Sequence, residues 1–187
     1  MDVFEAIRSR RMLPKVGAEP PTRERIEELL DLAVRAPNHH LTQPWRFYVL
    51  RGAERDRLAR AIADEAIARG VSPDEAEADG ARKVARAPVI VIFTTLPGEG
   101  DDVVEQEEIA SVAMAIQNFL LGAHASGLGA MLRTGPVAYH DSIGQQLVLG
   151  PKERVVGMVY IGHPTGDRSL TPRTSASEYT RWFGWDE

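Results

Sequence analysis

Apolar residues recur at helical spacing near the start of the chain, which predicts two helices there. Asp2 and Glu5 have the spacing of a capping box, and we expect the first helix to run to about Arg10. Thr22 can cap a second helix, in which one face repeats at i, i+3, i+4 and i+7. This helix must end before Pro37, because proline disfavours helical geometry in the preceding residue. The apolar positions of its buried face are Ile26, Leu29, Leu30 and Ala33.

The middle of the chain predicts two strands separated by two helices. Residues 47–50 favour a strand, and residues 53–69 favour a helix. Ser-Pro at 72–73 is a strong helix start, with a cap residue followed by proline at the first helical position. That helix ends at Pro88. Residues 89–93 are continuously apolar, which is typical of a central strand buried on both faces.

Residues 103–126 predict one long helix with an apolar stripe too wide for a surface helix. Gly127 is placed to be its left-handed C-terminal residue. A short strand, a short helix and a last strand over 155–161 follow. A long apolar helix in a small protein needs cover, and a subunit interface is one source of it. The stripe consists of Ile109, Val112, Ala113, Ile116, Phe119, Leu120 and Ala123.

The order of these elements predicts one mixed sheet with helices packed on it, followed by a polar, proline-rich tail over about 165–187. The chain has 187 residues, which suits a single domain spanning 1–187. Its composition, 43% apolar and 26% charged, excludes a wholly disordered protein. We see no signal peptide and no apolar run long enough to span a membrane, so the cytoplasm is the expected location.

Charge and cysteine content narrow the function further. The net charge of −5 argues against a protein that binds a nucleic-acid backbone, although it allows a local basic pocket for one small anion. Because there is no cysteine, thiol catalysis, iron–sulfur clusters and cysteine-based zinc sites are excluded. The chain also lacks a P-loop, a dinucleotide-binding glycine fingerprint, a hydrolase elbow and a zinc-protease motif.

Arginines form the first candidate site. Arg8, Arg10 and Arg11 end the first helix and could supply forked donors to a phosphate or to a ligand ring. Cations are also favoured at a helix C-terminus where they bind nothing, so both interpretations stay open. Cations in a tail are usually solvated, although one of three arginines there could clamp an anion, and spacing does not say which: Arg168, Arg173 or Arg181.

Two loops supply further candidates. The loop over 35–45 is rich in donors and acceptors, but its adjacent histidines, His39 and His40, would point apart and are a weak metal signal. Glycines between 127 and 135 bracket a short strand that ends in Arg133. Glycine lets a backbone approach a flat ligand closely, although an ordinary turn explains the same pattern.

Three blocks, in this order, resemble the FMN-dependent nitroreductase family, specifically its short, minimal branch. The first is A-I-R-S-R-R at 6–11. The second runs from 33 to 47 and contains A-P-x5-Q-P-W, which is quite specific. The third runs from 113 to 135 and contains Q-N, G-L-G and R-T-G. The resemblance extends from residue 2 to about residue 164.

The resemblance implies an α+β fold with a central mixed or antiparallel sheet flanked by helices. It also implies an intertwined homodimer that binds FMN at the subunit interface, with the long helix in the dimer core. Residues 122–127 align with a stretch associated with the nicotinamide donor. The family most often has serine where this chain has Met12, so any contact there must use the Met12 backbone or thioether. The implied cofactor-binding residues are Arg10, Arg11, Met12, Arg35, His39, Gln43, Leu132, Arg133, Thr134 and Arg173.

The activity implied by the resemblance is an NAD(P)H-dependent reduction of nitroaromatics, quinones or similar small acceptors by a ping-pong mechanism. Flavin N5 would carry the hydride, so no catalytic side chain and no metal are expected. A nearby arginine would favour the reduced, anionic flavin, and we expect Arg133→Ala to weaken FMN retention. The alternatives are a flavoprotein of the same fold with other chemistry, either flavin breakdown or reductive dehalogenation, and a non-catalytic flavin-binding module. Neither nucleic acid nor a membrane is an expected partner.

Overall fold

A four-stranded antiparallel sheet forms the centre of the computed structural model, which describes residues 1–98, 100, 102–166 and 169–185. Of the two sheet types expected, mixed and antiparallel, the structure shows the antiparallel one. The strands lie in the order β1-β2-β4-β3 and are β1 (Trp45–Arg51), β2 (Val89–Thr95), β3 (Gly129–Arg133) and β4 (Arg154–Gly162).

Helices flank the sheet at nearly the positions that the sequence predicts. The Asp2 carboxylate accepts from the Glu5 amide, and the Thr22 hydroxyl oxygen accepts from the Arg25 amide, as expected of the two caps. A 3-10 turn, Gly52–Glu54, precedes the third helix. The helices are α1 (Val3–Ser9), α2 (Arg23–Ala33), α3 (Arg55–Ala68), α4 (Pro73–Val84), α5 (Glu105–Ala125), α6 (Pro136–Tyr139) and α7 (Asp141–Leu147).

Strand β2 lies between β1 and β4, and every residue in it is buried. Side chains alternate between the two faces of a strand. Val91 and Phe93 pack in the cluster that includes residues of α2 and α5. Ile90 and Ile92 pack in a second cluster with residues of α3 and α7. Two apolar layers therefore cover the sheet, which explains the continuous apolar run at 89–93.

Helix α5 buries one face and leaves part of its predicted stripe uncovered. Phe119 and Leu120 are buried in the cluster on the sheet, and α2 approaches so closely that a Cβ at Gly122 would lie 2.6 Å from Leu32 Cδ1. Ile109 and Ala113, predicted as part of the stripe, are exposed in the single chain. The exposed apolar face of α5 is the one that needs cover.

The segment after β4 forms the predicted tail. Its described part, 163–166 and 169–185, contains only a 3-10 turn, Ala176–Tyr179, as regular structure. Four aromatic side chains in it are exposed: Tyr179, Trp182, Phe183 and Trp185. Across the described residues, no helix combines the length and the apolar character needed to cross a membrane.

Candidate functional site

The C-terminal end of α1 and the tail enclose a cavity of about 600 Å³, here called the cationic pocket. Arg10 ends α1 because its backbone leaves helical geometry while its amide still donates to the Ala6 carbonyl. The tail crosses this end of the helix over 169–173. The residues lining the cationic pocket are Ile7, Arg8, Arg10, Arg11, Met12, Ser169, Leu170, Thr171, Pro172 and Arg173.

Arg10 carries the strongest indication of a ligand in this pocket. Its Nη1 atom is buried and has no hydrogen-bond partner among the residues that the structure describes. Burial, and then the nearby charge of Arg173, lower the pKa of the Arg10 guanidinium. A buried cation without a partner is costly, and two arginines converging on one cavity suit a phosphate, which accepts several charge-assisted hydrogen bonds. The residues present therefore fit the phosphate of FMN.

Met12 brings the first and third blocks of the sequence together. Its sulfur accepts from the Leu132 amide at 3.4 Å, and the Leu13 amide donates to the Ala130 carbonyl at 3.0 Å. The thioether that stands in place of the family's usual serine thus contacts the backbone of β3. Segment 10–12 lies beside Leu132 at the end of β3, as expected if both contact one ligand.

Leu132 and Arg133, two predicted residues of the third block, lie on opposite faces of the sheet. Leu132 and Thr134 line a second cavity of about 610 Å³, here called the apolar groove, together with Ile109 and Ala113 of α5. The guanidinium of Arg133 lies 5.4 Å from the centroid of the Tyr160 ring. Alternation along β3 therefore directs the Arg133 side chain away from Leu132.

His124, which no sequence pattern singled out, lies beside the cationic pocket. Its Nε2 is 2.7 Å from Ser9 Oγ, so the last turn of α5 is tied to the last turn of α1. Burial, followed by the charges of Arg11 and Arg10, lowers the pKa of His124. The sequence feature that could have identified His124 is its position within residues 122–127, the stretch that the resemblance associates with the nicotinamide donor.

Two predicted residues of the second block, His39 and Gln43, lie at the other end of α5, whereas Arg35 follows α2 beside Leu32. His39 Nε2 is 4.0 Å from Glu107 Oε2, the Gln43 amide donates to Asn38 Oδ1 at 2.9 Å, and Arg35 is exposed. Sixteen residues separate the two helix ends at Glu108 and His124, or about 24 Å at 1.5 Å per residue. One chain therefore does not bring His39 and Gln43 to the cationic pocket.

Among the tail arginines, the structure describes Arg173 and Arg181. Arg181 is exposed, and Arg168 lies outside the described residues. Of the two that are described, Arg173 lines the cationic pocket, where its Nη1 donates to the carbonyl of Thr171 at 3.1 Å.

Comparison with known proteins decides the family. The model of the nitroreductase family matches residues 7–163, which is most of the chain. This chain belongs to the nitroreductase family. Among curated proteins it is similar to "Putative NAD(P)H nitroreductase YdjA" from Escherichia coli (strain K12), with 30% identity over 165 residues covering 88% of this chain and 89% of that protein. The predicted family is confirmed.

Solved structures of the same family share the fold. The nitroreductase-like family protein from Bacillus cereus matches with a TM-score of 0.85 and 23% identity, covering 98% of this chain and 97% of that one. A "putative nitroreductase in complex with fmn" from Desulfovibrio desulfuricans matches with a TM-score of 0.75 and 25% identity, covering 95% of each chain. The expected α+β, nitroreductase-like fold is confirmed.

Proposed function

We propose that this protein is an FMN-dependent oxidoreductase that takes hydride from NAD(P)H and reduces a nitroaromatic, a quinone or a similar small acceptor. The observation that carries the proposal is the buried Nη1 of Arg10, which has no hydrogen-bond partner in the described part of the chain and lies with Arg173 in the cationic pocket. It is supported by family membership and by the relatives, one named as an NAD(P)H nitroreductase and another solved with FMN.

Arg10 and Arg173 are the residues that would hold the phosphate of FMN, with Arg11 beside them. Met12 and Leu132, already in contact, would lie against the ring system, and Thr134 would follow at the wall of the apolar groove. Bound there, FMN supplies the hydride chemistry: it accepts two electrons from the nicotinamide and delivers them to the acceptor. The wall of the apolar groove formed by Ile109 and Ala113 belongs to the exposed α5 face that a second copy of the chain would cover.

A second copy of the chain would complete this site. A two-fold axis perpendicular to α5 places the N-terminal end of one helix beside the C-terminal end of the other. The N-terminal end carries Glu105 and Glu107, whereas the C-terminal end lies by the cationic pocket, so the two ends are electrostatically complementary. The same symmetry would cover the exposed apolar face of α5. It would also bring His39 and Gln43 of one copy towards the cationic pocket of the other.

The test is the visible spectrum of the purified protein, followed by an FMN titration. We expect a yellow dimer whose flavin absorbance bleaches with NADH or NADPH under argon and returns when a nitroaromatic or a quinone is added. A folded protein that binds no added FMN would overturn the proposal. A dimer that binds FMN but is reduced by neither nicotinamide would be a non-catalytic flavin-binding module. Loss of the flavin itself during aerobic turnover would indicate flavin breakdown.

A further inference from the structure

One carboxylate in α5 is almost completely buried although the proposed chemistry does not use it. Glu108 is 1% exposed. Its Oε1 accepts from the Thr42 hydroxyl at 2.7 Å, and its Oε2 accepts from the Gly98 amide at 3.1 Å. Burying a carboxylate is costly unless it accepts hydrogen bonds, so these two contacts are what allow Glu108 to lie there. Glu108 ties two separate loops to the first turns of α5.

The loop at 38–43 needs such an anchor because its backbone is strained. His40, Leu41 and Gln43 have φ angles of 49°, 54° and 47°, in the left-handed region that side chains other than glycine rarely adopt. A conformation of this kind persists only where the surrounding structure holds it. Thr42 lies between these residues, and it is the one that Glu108 binds.

The second loop bound by Glu108 packs directly against the first. A Cβ at Gly98 would lie 2.9 Å from Thr42 Cγ2, so the two loops touch where the carboxylate joins them. The Leu96 amide also donates to the Pro44 carbonyl at 2.7 Å. The loop at 38–43 is therefore held from outside, by α5 and by residues 96–98, as well as by the Asn38–Gln43 contact within it.

We propose that Glu108 is a positioning residue: its carboxylate, through Thr42 and Gly98, holds the loop at 38–43 in the conformation that presents His39 and Gln43 to FMN. The inference rests on the proposed function, because it takes this loop to be part of the FMN site. It is separable from that function, because the order of the loop can be measured without any cofactor.

Thr42 offers a matched pair of variants. Thr42→Val keeps the shape but removes the hydroxyl that Glu108 accepts from, whereas Thr42→Ser keeps the hydroxyl. Hydrogen bonds to charged groups are strong enough that we expect about a tenfold higher Kd for FMN in Thr42→Val and little change in Thr42→Ser. In the absence of FMN, amide hydrogen exchange at Thr42 and Gln43 should rise in Thr42→Val only.

Two substitutions at Glu108 distinguish the loss of its hydrogen bonds from a change in packing volume. Glu108→Gln can accept from the Gly98 amide and donate to the Thr42 oxygen, so it should keep FMN affinity close to that of the original protein. Glu108→Met fills a similar volume but binds neither partner. We expect it to raise both loop exchange and the Kd for FMN about as much as Thr42→Val does.

Two controls exclude indirect effects. Glu77→Gln removes an exposed carboxylate of α4, which packs on α3 rather than on α5, so FMN affinity should not change. Tyr48→Phe removes a hydroxyl that donates to the buried Glu153 at 2.9 Å, far from the loop. It should lower the melting temperature without changing loop exchange or FMN affinity.

Each of the following outcomes would overturn the inference. Unchanged loop exchange in Thr42→Val and Glu108→Met overturns the inference whether or not the protein binds FMN. Increased exchange with unchanged FMN affinity also overturns it, because the loop is then not part of the site. Equal losses of affinity in Tyr48→Phe and Thr42→Val would show general instability and would overturn it as well. A protein that never binds FMN, but whose loop loosens in these variants, contradicts the proposed function and removes FMN as the ligand that the loop serves.

Discussion

The two ends of α5 are held in different ways. At the C-terminal end, Ser9 joins His124, and Arg10 keeps a buried donor atom without a described partner. At the N-terminal end, the buried Glu108 satisfies both of its carboxylate oxygens by binding two loops. At the C-terminal end of α5, a neighbouring arginine has a donor atom without a described partner. At the N-terminal end, a strained loop is held by a carboxylate whose two oxygens both accept hydrogen bonds.

This difference indicates a division of labour between the ends. A buried donor atom without a partner costs stability in the FMN-free protein, and an anion that binds to it returns that stability. A strained loop that is anchored at several points keeps its shape before the ligand arrives, which lowers the cost of binding. We infer that the C-terminal end supplies affinity for the cofactor and the N-terminal end supplies shape, and that a dimer brings unlike ends together.

The largest effect is expected from a substitution that disrupts the proposed dimer interface and so separates the unlike ends of the two α5 helices. Ala113→Glu places a charge in the exposed apolar face of α5, which the proposed dimer buries. An uncompensated buried charge costs about 3–5 kcal/mol, so the dimer should dissociate and release FMN. Light scattering coupled to gel filtration measures the mass. Ala78→Glu, on the exposed side of α4, should stay dimeric, and a dimeric Ala113→Glu variant would place the interface elsewhere.

The next largest effect tests the unsatisfied charge. Arg10→Met should weaken FMN binding about 10- to 100-fold, because charge-assisted hydrogen bonds are worth about 1.5–3 kcal/mol. The same change should leave the melting temperature of the FMN-free protein unchanged or higher, since it removes a desolvated cation. Fluorescence titration and thermal unfolding measure the two quantities. Arg23→Met on the exposed face of α2 is the control, and equal affinity in both variants would remove Arg10 from the site.

A smaller effect is expected at Arg133, where resemblance and structure point in different directions. The resemblance assigns this residue to the cofactor, but its guanidinium lies over the Tyr160 ring. Arg133→Ala should lower the free energy of unfolding by about 0.5–1 kcal/mol through loss of that contact, and change the Kd for FMN by less than about threefold. Arg133→Lys, which keeps the charge, serves as the comparison. A tenfold loss of affinity would show that the side chain reaches FMN.

The smallest effect concerns pH at the C-terminal end. Burial and the neighbouring Arg11 and Arg10 lower the pKa of His124 below its usual 6.5. As the pH falls, His124 is therefore protonated in the unfolded chain before it is protonated in the folded protein. The contribution of neutral His124 to the free energy of unfolding is complete above pH 6.5, and it is lost as the pH falls from 6.5 towards the lowered pKa of the folded state. His124→Gln keeps a partner for Ser9 but cannot titrate. Urea unfolding between pH 8 and pH 5 should show a shallower decline in this variant, and parallel declines would contradict the assignment.

Local chemistry explains which parts of the fold were predictable. The Asp2 and Thr22 caps, the Ser-Pro helix start and the continuous apolar run at 89–93 each act within a few residues, and the structure has elements at all of them. Three sequence blocks in order were also enough to identify the family. The arrangement of strands was not predictable, because the register of β2 against β4 pairs residues 59 to 72 positions apart.

The sequence by itself determined the elements, the family and the set of residues that are chemically able to grip a phosphorylated ring. Tertiary structure decided which of these residues meet. It placed Arg10 beside Arg173 and Met12 on Leu132, turned Arg133 towards Tyr160, and left His39 and Gln43 at the far end of α5. The physical reason is that the burial of a side chain and its hydrogen-bond partners depend on contacts between segments that are distant in the sequence. The spacing of residues along the chain does not record those contacts.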